Sequence, residues 1–546
     1  MIAKCVEPSA RLALPSSAKG AGVIVSVVGE IPVDRTRQAP TVDGAERLLP
    51  TDSPREACGV FGVYAPGEDV SRLTYFGLYA LQHRGQESAG IAVGDGQTVL
   101  VYSKLGLVTQ VFDEKVLDGL TGTHAIGHVR YSTTGSSARV ENAQPAFMTR
   151  RDGGGIALGH NGNLVNPLDL AHELEQYDVE VNASTDSHLV TALLAQQDTS
   201  DLVEAFRAVA PKLRGAYSIT AMDEDQIVAV RDKYGVRPLV IGRLPSGGWV
   251  FASETCALDI IAADYIRDVE PGELVVADAD GLHSHKLFEP SPRLCVFEYV
   301  YFARPDSQLF GRSVYEVRRA MGKQLADEAP ADADLVIPVP ETASAAAQGY
   351  ADRTGLPYAE GFVKNRYVYR TFIQPSQAMR EKGVRMKLNP LPQVIEGKRL
   401  AVIDDSIVRG TTTRETVEML RRAGAREVHL RVASPPIQWP CFYGIDTANR
   451  DELIGSSKSV DEIREFVGAD SLGYLSVDGM LISTGVPTER FCHACFSGGY
   501  PIEIPEDTAR TKHVLELPVR ANGNGSKRPL PVVAEPAEPL PGISAE

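Results

Sequence analysis

Basic residues are in deficit in this chain. There are 55 Lys and Arg against 71 Asp and Glu, a formal net charge of −16. A surface of that sign repels phosphate backbones and anionic lipid, which excludes general nucleic-acid binding and membrane-surface attachment. Long apolar runs are also missing. No stretch approaches the roughly 20 residues of a membrane span, and the short apolar patch at 23–28 has no signal-peptide core or cleavage site around it. Cysteine is scarce: seven, at positions 5, 58, 256, 295, 441, 492 and 495, are too few and too scattered for a disulfide framework. In a reducing compartment each reads as a ligand, a nucleophile or a core residue, and the cytoplasm is the expected location. There is no internal repeat and no Gly-x-x-x-x-Gly-Lys-Ser/Thr phosphate loop. What remains, 43% apolar and 23% charged over 546 residues, is a globular protein long enough for two or three sizeable cores.

The most informative stretch is 400–424. An apolar run, 400–403, reads as a buried strand and ends in the acid pair Asp404 and Asp405. A loop containing Ser406, Arg409, Gly410, Thr411, Thr412 and Thr413 follows, and 414–424 has helical periodicity with a glycine stop. Strand, polar turn and helix build an open α/β sheet, which takes ligands beyond the carboxyl ends of its strands. The unpaired N–H groups at the helix start suit a phosphate, with the hydroxyls as further donors. The two carboxylates would repel an anion by themselves, so they point to sugar hydroxyls or a hydrated Mg²⁺.

This stretch resembles the phosphoribosyl-diphosphate (PRPP) loop of type I phosphoribosyltransferases. The resemblance implies that Asp404 and Asp405 hold the ribose hydroxyls while 406–413 cradle the 5-phosphate. It also makes 338–344, after the apolar run from Leu335, the diphosphate-side loop. Thr342 is then a Mg²⁺ contact beside the acid pair, or simply a helix N-cap. Residues 364–387 carry seven Lys/Arg and one Glu in an acidic protein. With Lys364 and Arg366 as PRPP contacts, they read as a cationic lid that excludes water while the glycosyl bond breaks. Tyr369 stands where such proteins often have glycine.

Toward the other end, residues 1–57 show no sustained periodicity and read as a leader. The character of the chain changes at Cys58-Gly-Val-Phe-Gly. Then come, in order, His83-Arg-Gly-Gln-Glu-Ser-Ala-Gly, Gly127-His-Val-Arg-Tyr-Ser-Thr, Gly159-His-Asn-Gly-Asn-Leu and Ser184-Thr-Asp-Ser-His. Together these resemble the class II (N-terminal nucleophile, Ntn) glutamine amidotransferase domain, from Cys58 to about residue 290. Glutamine hydrolysis needs a nucleophile, and a thiolate serves far better than a hydroxyl at neutral pH. If Cys58 becomes the first residue, its own α-amino group can take the thiol proton. Residues 1–57 are therefore expected to be a propeptide. The resemblance implies Asn161 and Gly162 as oxyanion donors, Arg130 on the substrate α-carboxylate and Asp186 on its α-ammonium. It adds Arg84 as an organiser of the glutamine site.

The runs at 215–222, 226–231, 238–242 and 270–277 read as strands with turn signals between them, which fits the antiparallel αββα sandwich that the resemblance implies. The polar, proline-bearing segment 282–293 reads as the domain boundary. Cys295, Cys441 and the pair in Cys492-His-Ala-Cys495 form a four-thiolate set suited to Zn²⁺ or an iron–sulfur cluster. These four match the cluster cysteines of the Bacillus-type amidophosphoribosyltransferases, so the resemblance implies a 4Fe-4S cluster.

The expected division is a propeptide over 1–57, an α+β Ntn-hydrolase domain over 58–290, an α/β type I phosphoribosyltransferase domain over 291–510 and a C-terminal tail over 511–546. From Cys58 to about residue 510 the chain resembles the amidophosphoribosyltransferase family. That implies ammonia transfer from glutamine to PRPP, with Mg²⁺, giving 5-phosphoribosylamine, glutamate and diphosphate at the entry to purine synthesis. Tyr131 and the lid are candidates for coupling the two sites. A homotetramer and inhibition by purine nucleotides follow from the resemblance alone. Two rivals are another class II amidotransferase, against which the PRPP loop speaks, and a non-catalytic PRPP-sensing regulator, which would have no use for the Cys58 set.

Overall fold

The structure is a computed structural model describing residues 58–131, 140–177, 179, 184–365, 388–445 and 450–505. The expected propeptide, the tail and all but the first two residues of the basic segment, with Arg366 and Tyr369, lie outside the described residues.

The first domain is built on two antiparallel sheets. Strand Gly59–Tyr64 lies inside a seven-stranded sheet, between Trp249–Ala252 and His124–Arg130. Beyond His124–Arg130 come Ser88–Gly94 and the edge strand Val99–Leu105. The second sheet has six strands, with Ala146–Thr149 at one edge, then Gly155–Leu164, Gly215–Met222 and Ile227–Arg231. Alternation sorts their side chains. Val60, Ala157, Met222 and Phe251 fill the layer between the sheets. Phe61 and Val63 pack outward with Leu78 of helix Val70–Ala80. Leu158 and Ile219 pack outward against the helices Asp186–Ala195 and Leu202–Val209. Each fully buried Val, Leu, Ile, Met or Phe among them contributes about 1.5–3 kcal/mol. These are the four layers of the expected αββα sandwich. The segment 282–293 is not all linker: Gly281–Lys286 is a paired strand at the sheet edge. Its polar sequence suits an edge whose side chains meet water.

The second domain has a parallel sheet in the order Leu335–Pro338, Arg399–Asp404, Glu427–Val432, Ser471–Tyr474. In the central strand Arg399–Asp404, residues 400–403 are buried on both faces and read as a continuous apolar run, whereas Glu427–Val432 alternates polar with buried apolar residues. Pro338 pairs with Ile403, so the loops that follow these two strands emerge side by side at the carboxyl edge. The helix after the central strand begins at Thr411, three residues before its apolar periodicity becomes visible, and runs to Arg422. Gly410 caps it at φ +81°, where a side chain would also press on Ile454.

Candidate active site

Cys58 lies at the start of the central strand Gly59–Tyr64, and only 6% of it is exposed. Register places Gly59 opposite Val129, which brings Arg130 and Tyr131 to the thiol. Its Sγ donates to the Tyr131 carbonyl at 3.3 Å and accepts from the Tyr131 N–H at 3.4 Å. Burial pushes the thiol pKa up to about 11, against the pull of the Tyr131 backbone and the Arg130 charge. A thiol at that value needs a base to react at neutral pH. The pocket at the thiol is lined by Arg130, Tyr131, Gln144, His160, Gly162, Thr185, Asp186 and Ser187 as well as Cys58.

One cation and one anion therefore face this pocket from opposite elements. Arg130 ends the strand His124–Arg130 and is 2% exposed. Asp186 opens the helix Asp186–Ala195, and its carboxylate accepts the N–H groups of Leu164 and Ser187, each at 2.9 Å. An α-amino acid carries the two complementary charges. Both ring nitrogens of His160 already face protein groups, Ser187 Oγ at 3.2 Å and the Ala216 carbonyl at 3.4 Å.

Asn161 and Gly162 lie on the strand Gly155–Leu164. Alternation puts the Asn161 side chain on the same side as Ala157, in the layer between the sheets, and puts Cys58 there with Val60. Both polar atoms of the Asn161 amide are buried without a hydrogen-bond partner among the described residues. An orphan of this kind costs about 1–3 kcal/mol and calls for a partner that the described residues do not supply. Gly162 has φ +152°, and a Cβ there would overlap the Ala216 carbonyl at 2.0 Å, so only glycine fits.

Arg84 is not among the pocket residues. Its guanidinium is fully buried between Glu254 and Glu298, with Nη2 at 2.5 Å from the latter. Glu298 also takes Arg237 Nη1 at 3.0 Å. Glu298 belongs to the second domain and both arginines to the first, so this chain of charges crosses the boundary. Glu254 reaches the other way, accepting from the Arg304 N–H at 2.9 Å and Ser307 Oγ at 2.7 Å.

The second site lies at the carboxyl edge of the parallel sheet. Asp404 Oδ1 accepts the Asp405 N–H at 2.9 Å, and Ser406 Oγ donates to Asp405 Oδ1 at 2.7 Å. Burial raises the Asp405 pKa to about 6, opposed by Ser406, by the Arg318 charge and by a hydrogen bond from Thr342. Thr342 and the acid pair are thus together, from adjacent loops. Lys364 Nζ sits 3.1 Å from Glu341 on the same loop as Thr342. Arg409 pairs with Glu452 at 2.7 Å. Thr411, Thr412 and Thr413 form the first turn of the helix, with Thr413 buried. Sequence reasoning missed Gln144 and Arg318, and it gave no role of their own to Thr185 and Ser187 within the 184–188 motif or to Glu341 within the 338–344 loop. Gln144 joins the pocket by accepting the His160 N–H at 2.8 Å and donating to Ser187 Oγ at 3.0 Å. No local pattern marks it.

The four candidate thiols are neighbours. Cys295 and Cys492 are in register on two short parallel strands, Leu294–Cys295 and Phe491–Cys492. The Cys495 pKa is pushed up by burial and by the other three thiols, and burial pushes Cys295 up to about 12. None of the four is in a disulfide; three are buried and Cys441 is half-buried. No three His, Cys, Asp or Glu side chains among the described residues converge closely enough to hold a single metal ion. Cys256 is buried beside Glu254, away from this set. Among the described residues no helix is long and apolar enough to cross a membrane.

Comparison with known proteins gives consistent results for both halves. Residues 128–259 match the model of a glutamine amidotransferase domain. The chain is 55% identical over 487 residues to the amidophosphoribosyltransferase of Mycobacterium tuberculosis, covering 87% of this chain and 92% of that one. It is 55% identical over 471 residues to the amidophosphoribosyltransferase of Synechococcus elongatus, covering 85% and 95%. Among solved structures, the glutamine PRPP amidotransferase of B. subtilis complexed with ADP and GMP superposes with a TM-score of 0.78 at 46% identity, covering 82% of this chain and 98% of that one.

Proposed function

The chain belongs to the amidophosphoribosyltransferase family, and from that premise we propose how its residues divide the reaction between two sites in series. Ammonia released from glutamine in the first domain replaces the diphosphate of PRPP in the second. The products are 5-phosphoribosylamine, glutamate and diphosphate, and the step opens purine synthesis.

After removal of residues 1–57, the α-amino group of Cys58 takes the thiol proton and the thiolate adds to the glutamine carboxamide carbon. Negative charge gathers on the carboxamide oxygen, where the Asn161 amide and the Gly162 N–H receive it. Collapse expels ammonia with the proton returned from the α-amine and leaves a thioester. Water hydrolyses the thioester to glutamate and restores the thiol. Arg130 and Asp186, both lining the pocket, fix the substrate by its α-carboxylate and α-ammonium. Arg84 acts at a distance from the substrate, as an organiser held by its ion pairs with Glu254 and Glu298.

At the sheet edge Asp404 and Asp405 orient the ribose hydroxyls, while Ser406, Arg409, Gly410 and the first-turn residues Thr411–Thr413 hold the 5-phosphate. Ammonia attacks C1 as the C1–O bond to diphosphate breaks, with Lys364, Arg366 and the basic lid over the leaving anion. The donor set of Thr342, Asp404 and Asp405 is oxygen-only, as Mg²⁺ prefers, and the ion when bound neutralises diphosphate charge.

Cys295, Cys441, Cys492 and Cys495 are the residues that would hold a 4Fe-4S cluster. One tetrahedral Zn²⁺, with Zn–S near 2.3 Å, needs its four sulfurs drawn in tightly, whereas a four-iron cube spaces them more widely. The four neighbouring thiols suit either group, and the resemblance to cluster-bearing amidophosphoribosyltransferases is what favours the cube. Iron and labile sulfide in about equal amounts, near four of each per chain, are the expected analysis, and stoichiometric zinc in their place overturns the assignment.

Purine nucleotides are the expected inhibitors, as the B. subtilis relative was solved with ADP and GMP. A cytoplasmic homotetramer completes the reading. The compartment is read from few and scattered cysteines in the sequence, and the tetramer rests on the family. The observation that carries the whole is one chain holding both a buried thiol between Arg130 and Asp186 and an Asp404–Asp405 pair at a parallel-sheet edge. Asp405→Asn tests the second half. It should abolish product formation from both glutamine and free ammonia; retention of either refutes the assignment.

A further inference from the structure

Residues 441–445 of the second domain return to the first domain at the strand that carries Asn161 and Gly162. The Phe442 carbonyl accepts from Asn163 Nδ2 at 3.0 Å, and the Tyr443 carbonyl accepts from the buried Arg237 Nε at 3.0 Å. Gly444, at φ +105°, sits backbone to backbone on Gly162. A Cβ on Gly444 would lie 2.9 Å from the Gly162 carbonyl carbon and 3.0 Å from its Cα and oxygen. Gly162 is thereby held on two sides, since its own missing Cβ is faced at 2.0 Å by the Ala216 carbonyl.

The far end of the segment is anchored in its own domain. The Tyr443 hydroxyl donates to the Ile502 carbonyl at 2.6 Å and accepts the Ile502 N–H at 3.0 Å. The Tyr500 hydroxyl donates to the Pro440 carbonyl at 2.6 Å. The segment thus enters the first domain from a fixed base. It touches the oxyanion strand at Gly162 and again one residue later, at Asn163.

We infer that residues 441–445 are a positioning brace for the oxyanion hole, with Asn163 and Gly444 as its two contacts. Glycine has the widest conformational freedom of any residue, and at 162 the strand is paired on one side only, with Tyr217, so contacts on its Cα and carbonyl from the other domain help to aim its N–H. The brace fixes them, so docking of the second domain completes the glutaminase site. None of its residues touches substrate. The inference rests on the reading of Asn161 and Gly162 as the oxyanion donors.

The test uses processed, full-length enzyme carrying Asn163→Ala, Gly444→Ala or Asn161→Ala. Glutamine-dependent kcat and KM, the rate with excess ammonium salt, and Tm are measured for each. Asn163→Ala should lower glutamine-dependent kcat about tenfold, with KM and the ammonia-dependent rate within about twofold of the parent. Gly444→Ala should lower it about a hundredfold with the same selectivity. Should the added methyl prevent folding, Asn163→Ala decides alone. An unchanged kcat in Asn163→Ala, with a hundredfold loss in Asn161→Ala, leaves the hole standing and overturns the brace. An Asn161→Ala variant that keeps its kcat overturns the hole and the brace with it. Equal loss of glutamine- and ammonia-dependent rates in Asn163→Ala makes the contact merely structural and also overturns the brace.

Discussion

Replacing Glu298 by glutamine isolates one charge at the centre of the domain boundary. The four side chains Glu254, Arg84, Glu298 and Arg237 are each 0% exposed, and their formal charges, two negative and two positive, cancel. Glutamine has nearly the volume of glutamate, so Glu298→Gln opens no cavity. It leaves one uncompensated positive charge between guanidinium groups that water does not reach. Removing one partner of a buried pair costs about 3–5 kcal/mol. At about 2–4 °C per kcal/mol for a domain of 150–250 residues, Tm should fall by about 6–20 °C. Because the group is buried, added salt should recover little of the loss. Differential scanning calorimetry on the full chain measures the shift. Arg237→Gln in the same background restores neutrality, so the double variant should be less damaged than the two single losses predict, by about 1 kcal/mol or more. A Glu298→Gln variant within 2 °C of the parent, or strictly additive losses, refutes the reasoning.

Two further outcomes depend on pH. With residues 1–57 attached, the Cys58 thiol, held near 11 by burial, should alkylate about tenfold faster per pH unit from 7 to 10; once it is freed, its α-amine should level the rate near pH 8. Peptide mass spectrometry at Cys58 reads both, and a plateau below pH 8 in the uncut chain contradicts the account. His128 is held down to about 3 by burial, with Nε2 at 3.0 Å from the His160 carbonyl. Its unfolded pKa is about 6.5, so as pH falls the unfolded chain takes the proton first. Stability is therefore full above about pH 6.5 and is lost toward 3, by about 2 kcal/mol at pH 5. His128→Gln should flatten the fall in Tm between pH 6.5 and 5, and an unchanged slope contradicts the assignment.

What was legible in the sequence was local. The strand, acid pair, glycine and helix of 400–424 are consecutive, and a parallel sheet places the end of that unit at its ligand edge whatever lies elsewhere. The strands of the first domain were legible because two facing layers demand apolar runs. The ion chain was not legible: Arg84 meets Glu254 and Glu298 across 170 and 214 positions, and no periodicity spans that distance. Gln144 was invisible for the same reason, since its partners His160 and Ser187 come from another strand and a helix. Strand Gly281–Lys286 was read as linker because an edge strand with polar faces lacks the apolar signal. Residues 441–445, Cys-Phe-Tyr-Gly-Ile, carry no local pattern that marks a brace, and their role exists only where two domains meet.

Cys58→Ala separates the two halves most directly. The variant should form no phosphoribosylamine from glutamine while forming it from ammonium salt at the parent rate, with PRPP and Mg²⁺ supplied. Product from glutamine, or loss of both activities in a folded protein, would contradict a nitrogen-releasing thiol feeding a separate sugar-phosphate site.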